Sequence, residues 1–170
     1  LTVAPVVGLR ADVVTLWDVL RVDLGNTPQK SIPLLADMSP RQARVFALLS
    51  NLRTIDAGTR FIREGDLARD IYVIVDGTAR VWVDRNGDEV EINRVGRGTT
   101  LGETGYFSPR RTANVTAVTD LRVLDFDTDD LERLRRRHPR VASLVYRNLN
   151  SIQAERLARA TRQIAEHACD

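Results

Sequence analysis

The sequence is poor in the residues that disulfide and metal chemistry require. It has one cysteine, Cys169, which excludes an internal disulfide framework and a cysteine-based zinc site and fits a reducing compartment. Two histidines, His138 and His167, leave little for metal ligation, so no metal site and no cofactor are expected. Lysine is almost missing as well: of 25 basic residues 24 are arginine, and Lys30 stands alone. Against 23 acidic residues the net charge is only +2. A sequence pI near 9.1 therefore overstates the bias, and no global basic footprint for nucleic acid is present. No run reaches the roughly 18 apolar residues of a membrane helix. What remains is a chain of 170 residues, 43% hydrophobic, sized for one domain with flanking helices. A domain of this length can bury about 68–70% of its unfolded surface without covalent staples. The chain begins at Leu1 without a signal peptide, and is expected to be a cytoplasmic piece of a longer protein.

Three textures follow one another. Residues 1–30 read as an apolar, helical linker: Leu1–Val7 is broken by Pro5, and Ala11–Val22 forms a short helix that carries Trp17. Residues 31–170 read as the domain proper. Ser39, with Pro40 at the first helical position and Gln42 three residues on, predicts a capped helix running to about Ser50. From 51 to 127, short runs rich in Val, Ile, Thr and aromatics alternate with turns at Ala57-Gly58, Glu64-Gly65-Asp66, Asp76-Gly77, Asn86-Gly87 and Arg97-Gly98. That spacing points to an all-β sandwich or barrel. Asn86-Gly87 predicts a type I′ hairpin joining Thr78–Val83 to Glu89–Val95, with Ala79, Val81 and Val83 on one face and Trp82 half-buried. Residues 128–167 turn helical. Thr128 is the expected cap of a helix ending in Arg135-Arg136-Arg137, and a second helix runs from about Pro139 to His167. Its stripe of Val141, Val145, Leu149 and Ile152 can cover the β portion or pair across a two-fold axis.

One segment carries chemistry: Leu101-Gly102-Glu103-Thr104-Gly105-Tyr106-Phe107, then a short loop, then Arg111-Thr112-Ala113-Asn114-Val115. Two glycines let a ligand approach the backbone. A short helical turn after Gly102 can aim N–H groups at an anion. Arg111 offers a planar fork to phosphate oxygens. An acid, Glu103, repels phosphate but accepts hydrogen bonds from a sugar hydroxyl, so the parts together describe a sugar phosphate rather than free phosphate. A Glu103–Arg111 salt bridge that merely closes the segment is the plainer alternative. Tyr106 and Phe107 are expected in the core beneath it.

These residues resemble the phosphate-binding cassette of the cyclic-nucleotide-binding domain family, whose pattern runs F-G-E-(L/I)-(A/G)-L-(L/F), a variable loop, then R-(T/S/A)-A-x-V. The resemblance extends from about Ile32 to Ile164 and takes in Ile32-Pro33-Leu34-Leu35 and Ile71-Tyr72-Val73-Ile74-Val75-Asp76-Gly77. It implies a mainly β fold, an antiparallel jelly roll over 51–127 preceded by N-terminal helices and followed by two C-terminal helices, B and C, over 128–167. It further implies a ligand, cAMP or cGMP, bound without any catalysis. By the same resemblance Glu103 takes the ribose 2′-hydroxyl, and Gly102, Thr104 and Gly105 surround the phosphate. Arg111 pairs with that phosphate, and Thr112 stands where a hydroxyl can meet a syn guanine. Val81 and Ile92 are candidate walls for the base, with Gln153 or Arg156 as its cap. Thr104 in place of an apolar residue and the short loop depart from the family pattern.

The resemblance makes the chain a regulatory sensor that reports binding through its last helix to an effector in the same parent protein. A membrane transporter is one candidate effector, with Trp17 near the bilayer and the membrane reached only through that parent. The runner-up is a degenerate domain that keeps the fold, binds no nucleotide and serves as an interaction module. Homodimerisation through the C-terminal helix stays open. Catabolite-activator relatives continue into a helix-turn-helix, whereas this chain stops at Asp170, so DNA binding by this piece is not expected. A cupin-type metalloenzyme would need histidines on the strands, and the predicted strands have none.

Overall fold

A computed structural model describes residues 32–108 and 110–167. The expectations for 1–30, Trp17 among them, and for Cys169 lie outside the described residues. A 3-10 turn at Pro33–Leu35 leads into α1 (Pro40–Leu49). Ser39 caps α1 as expected, its side chain accepting from the Gln42 N–H while the Gln42 side chain accepts from the Ser39 N–H.

Eight strands follow: β1 (Asn51–Ile55), β2 (Arg60–Ile62), β3 (Ile71–Asp76), β4 (Ala79–Arg85), β5 (Asp88–Val95), β6 (Thr100–Leu101), β7 (Asn114–Ala117) and β8 (Leu121–Phe126). They form two four-stranded antiparallel sheets, β1-β8-β3-β6 and β2-β7-β4-β5. This is the β-rich jelly roll with flanking helices. A single helical turn, α2 (Thr104–Phe107), interrupts the strands; α3 (Thr128–Arg137) and α4 (Pro139–His167) end the described chain. Among the described residues no helix is long and apolar enough to cross a membrane.

The alternation of β3 and β8 sorts the core into two parts. Tyr72, Ile74, Leu121 and Val123 face the interior of the roll, where Ile55, Ile62, Ala79, Leu101, Val115 and Ala117 join them. Ile71, Val73, Val75, Leu124 and Phe126 point the other way, against the helices. Val141, Val145, Leu149 and Ile152 of α4 belong to that second cluster, so the stripe covers the roll of its own chain.

Three local expectations are corrected. The cap of α3 is Asp127 rather than Thr128, because its carboxylate accepts from the Asp130 N–H while Asp130 reaches back to the Asp127 N–H. Trp82 is buried rather than half-buried. The Arg60 and Arg80 guanidiniums lie over its ring at 5.5 and 5.2 Å, and its Nε1 donates to Thr116 at 3.0 Å. Tyr106 and Phe107 are exposed instead of core: the inward position of α2 is taken by Gly105, which leaves the larger side chains outside. They meet edge to face, and Tyr106 also tilts against Tyr146 of α4. The Asn86-Gly87 hairpin forms as expected, both residues at positive φ.

Candidate functional site

The site is built on a left-handed turn. Gly102 sits at φ +74, and a Cβ there would lie 2.5 Å from Arg111 Nη1 and 2.6 Å from the Asp70 carbonyl oxygen. Three residues on, a Cβ at Gly105 would meet the Ala68 carbonyl at 2.9 Å and Arg111 Nη1 at 3.0 Å. Both glycines therefore make room for one guanidinium, a more specific task than admitting a ligand.

Arg111 is only 4% exposed. Its Nη1 donates to the Gly102 carbonyl at 3.0 Å and its Nη2 to the Asp70 carbonyl at 2.7 Å. Its main chain is fixed as well: the Gly65 N–H donates to the Arg111 carbonyl and the Arg111 N–H donates to Asp66, each at 2.9 Å. Neighbouring Asn114 accepts from the Glu64 N–H at 3.0 Å. Among the described residues the one carboxylate in ion-pair range of Arg111 is Asp70, 3.9 Å away and about half-exposed. A guanidinium has five N–H donors, and carbonyls hydrogen-bond it without neutralising its charge. Glu103 does not pair with Arg111, so the plainer salt-bridge alternative is not what the chain adopts.

Glu103, 2% exposed, pairs instead with Arg156 of α4 through its Oε1. The Nη2 of Arg156 donates to the Thr100 carbonyl on β6. Among the described residues four buried side-chain atoms have no hydrogen-bond partner: Glu103 Oε2 and Thr100 Oγ1, both on residues of this bridge, and Gln153 Nε2 and Arg122 Nη2. Beside the cassette, burial first, then the nearby Asp70 and Asp125 carboxylates, pushes the Tyr72 phenol above its ordinary value.

Of the predicted residues, Gly102, Glu103, Gly105 and Arg111 form one compact cluster, with Thr104 half-buried at its edge and Thr112 exposed. Val81 packs against the inner cluster of the roll. Ile92 is 59% exposed. Val81 opposes Asn93 and Trp82 opposes Glu91, which makes Ile92 the extra residue of a β-bulge. Sequence reading missed Asp70, Thr100 and the Glu64-Gly65-Asp66 turn as parts of the site. The turn was visible only as a turn, and a carbonyl acceptor such as that of Asp70 leaves no mark in the side chain that carries it.

A family model for the cyclic nucleotide-binding domain matches residues 52–138. The chain belongs to the cyclic nucleotide-binding domain family. A glutaminase of Bradyrhizobium diazoefficiens, "Glutaminase 2", is 31% identical over 131 residues, which is 77% of this chain but 20% of the glutaminase. The type II regulatory subunit of cAMP-dependent protein kinase from Drosophila melanogaster is 34% identical over 61% of this chain and 28% of its own length. Among solved structures, the catabolite activator protein of Thermus thermophilus superposes with a TM-score of 0.71 at 26% identity, covering 80% of this chain and 63% of that one. The chain thus spans about a fifth of the length of the glutaminases it matches.

Proposed function

We propose that this domain binds a 3′,5′-cyclic nucleotide monophosphate, cAMP or cGMP, at the Gly102–Gly105 turn and Arg111. One observation carries the reading: a guanidinium that is 4% exposed, anchored by two carbonyls, whose nearby carboxylate stands at 3.9 Å. Buried charges are normally closely paired; Asp70 is distant and half-exposed, and a cyclic phosphate monoanion supplies a nearer partner while leaving both carbonyl bonds intact. Glu103, close by on the same turn, accepts a hydrogen bond from the ribose hydroxyl. Gly102, Thr104 and Gly105 let the phosphate reach the backbone, and Thr112 and Val81 border the base.

The domain catalyses nothing; it changes the position or mobility of α4, which touches both the roll and the cassette. Such a switch works only if the ligand binds the two helix states with different affinity. Relatives that are much longer, the glutaminases and the kinase subunit among them, support a module that reports to an effector attached elsewhere in its parent chain.

Isothermal calorimetry with cAMP and with cGMP tests the reading, on the wild type and on Arg111→Ala. Saturable micromolar binding that disappears in Arg111→Ala, with the domain still folded by circular dichroism, is the expected result. Affinity unchanged in that variant, or no binding to the wild type at millimolar ligand, overturns it.

A further inference from the structure

α4 changes character along its length. Up to Ile152 it lays Val141, Val145, Leu149 and Ile152 against the roll. From Leu157 to Glu166 every residue is exposed, so about three turns of helix stand clear of the domain. They are not polar all round. Leu157 is 70% and Ile164 71% exposed, and at helical spacing Ala154, Leu157, Ala158, Thr161, Ile164 and Ala165 share one face. Glu155, Arg159, Arg162 and Glu166 lie on the other. The apolar face is rotated roughly a third of a turn from the stripe that covers the roll. A helical segment this short is marginal in water unless something packs on it.

We propose that this face is a docking surface for the N-terminal stretch Ala11–Val22 of the same chain. The stretch lies outside the described residues; its pattern, its tether and its charge select it. Val13, Leu16, Trp17 and Leu20 recur at i, i+3, i+4 and i+7, a stripe of the kind that the face of α4 lacks a partner for. Twelve residues of helix span about 18 Å, the same length as Ala154 to Ala165. The chain enters the domain at Ile32 beside the middle of α4, because Asn148 Nδ2 donates to the Leu34 and Ala36 carbonyls at 2.9 and 2.8 Å and Arg147 pairs with Asp37 at 2.8 Å. Residues 23–31 reach up to about 30 Å. Leu157 and Ile164 stand only about 14 and 24 Å along the helix from Asn148. Asp12, Asp18 and Asp23 are opposite in sign to Arg159 and Arg162 beside the face. A second copy of the chain is the weaker occupant on area. A face with two large apolar side chains falls short of the roughly 800 Å² per partner that a stable dimer buries. A segment tethered within reach acts at millimolar effective concentration and needs less. The cassette takes no part in this contact. Docked there, Ala11–Val22 moves with α4, so the chain on the N-terminal side of the domain feels any displacement of that helix.

Amide hydrogen exchange on the full chain tests the contact in three proteins: wild type, Leu157→Ser with Ile164→Ser, and Leu16→Ser with Leu20→Ser. Leu157 and Ile164 are exposed, so replacing them leaves the roll intact, and unchanged exchange along β3 and β8 checks this. The expected result is reciprocal. The substitutions on α4 speed exchange in residues 11–22 by about tenfold or more, and those in the N-terminal stretch speed exchange in residues 157–165 by a similar factor. Residues 11–22 that exchange as fast in the wild type as in the α4 variant overturn the proposal. Sedimentation of the same proteins at micromolar concentration judges the other occupant. A monomer is expected throughout. A wild-type dimer that the α4 substitutions dissociate assigns the face to a second copy and overturns the proposal as well.

Discussion

Arg111 and Arg156 both carry a guanidinium into the cassette, but they arrive differently and are held differently. Arg111 comes from the loop just before β7 and is anchored by main-chain carbonyls of Gly102 and Asp70, inside a frame of turns that belongs to the roll. Arg156 comes from α4, 53 positions beyond Glu103, and is held by that carboxylate and the Thr100 carbonyl. Carbonyl dipoles orient a cation and leave its charge available; a carboxylate cancels it. The first arrangement suits a residue that must take an anion. The second suits one that must hold another side chain in place. Arg111 is therefore held within the roll itself, whereas the pairing of Glu103 depends on how α4 lies.

The helix half is broken most severely by removing the contact that seats α4. Leu149 is 1% exposed in the cluster between the helices and the roll, and Leu149→Ala is expected to cost about 2–5 kcal/mol in urea unfolding. The phosphate half responds through affinity. Arg111→Ala is expected to lose about thirtyfold to several thousandfold in cyclic-nucleotide binding by calorimetry. Gly102→Ala probes the frame around that arginine: a Cβ would overlap Arg111 Nη1 and the Asp70 carbonyl at a positive φ. A stability loss of about 1–3 kcal/mol, together with weaker ligand binding, is expected from that strain. If Gly102→Ala unfolds and binds like the wild type, the frame around Arg111 yields to an added Cβ and does not fix the guanidinium. Asp127→Ala removes the cap of α3 beneath α4 and should cost about 1 kcal/mol.

The smallest effect is a titration. Hydrogen bonds from Arg135, then Arg136, hold the Glu132 carboxyl down to about 2, below its ordinary 4.5. A carboxylate lowered in the folded state stabilises above its unfolded pKa, and that contribution fades as the pH falls from about 4.5 toward 2. Because the group is exposed, the effect belongs in an NMR titration of Glu132 rather than in a melting curve. A midpoint near 4.5 would show that these ion pairs do not persist in solution.

Much of the fold was legible because local signals and the tertiary arrangement agree. Ser39 and Gln42 define a start for α1, Asn86-Gly87 can adopt the two positive φ values of a tight hairpin, and Pro139 opens the last helix. The misses share a cause. Asp127 and Thr128 are both acceptable caps, and only the reciprocal reach of Asp130 selects between them. Trp82 is covered by Arg80, its same-face neighbour two residues back on β4, and by Arg60 of β2, which only the pairing of the sheet brings near. Tyr106 and Phe107 look like core residues, but α2 is a single turn and its inward position is given to a glycine.

The cassette could be read from the chain alone: two glycines, an acid and an arginine at spacings that a left-handed turn and a short loop bring into one cluster. That is possible because each depends on neighbours within about ten residues. What those side chains do with their hydrogen bonds depends on contacts across the fold. Asp70 lends a carbonyl to Arg111 across 41 positions of chain, and Arg156 crosses 53 to reach Glu103. Backbone acceptors carry no residue signature, and a pairing between distant charges becomes definite only when packing of α4 against the roll sets the distance between them.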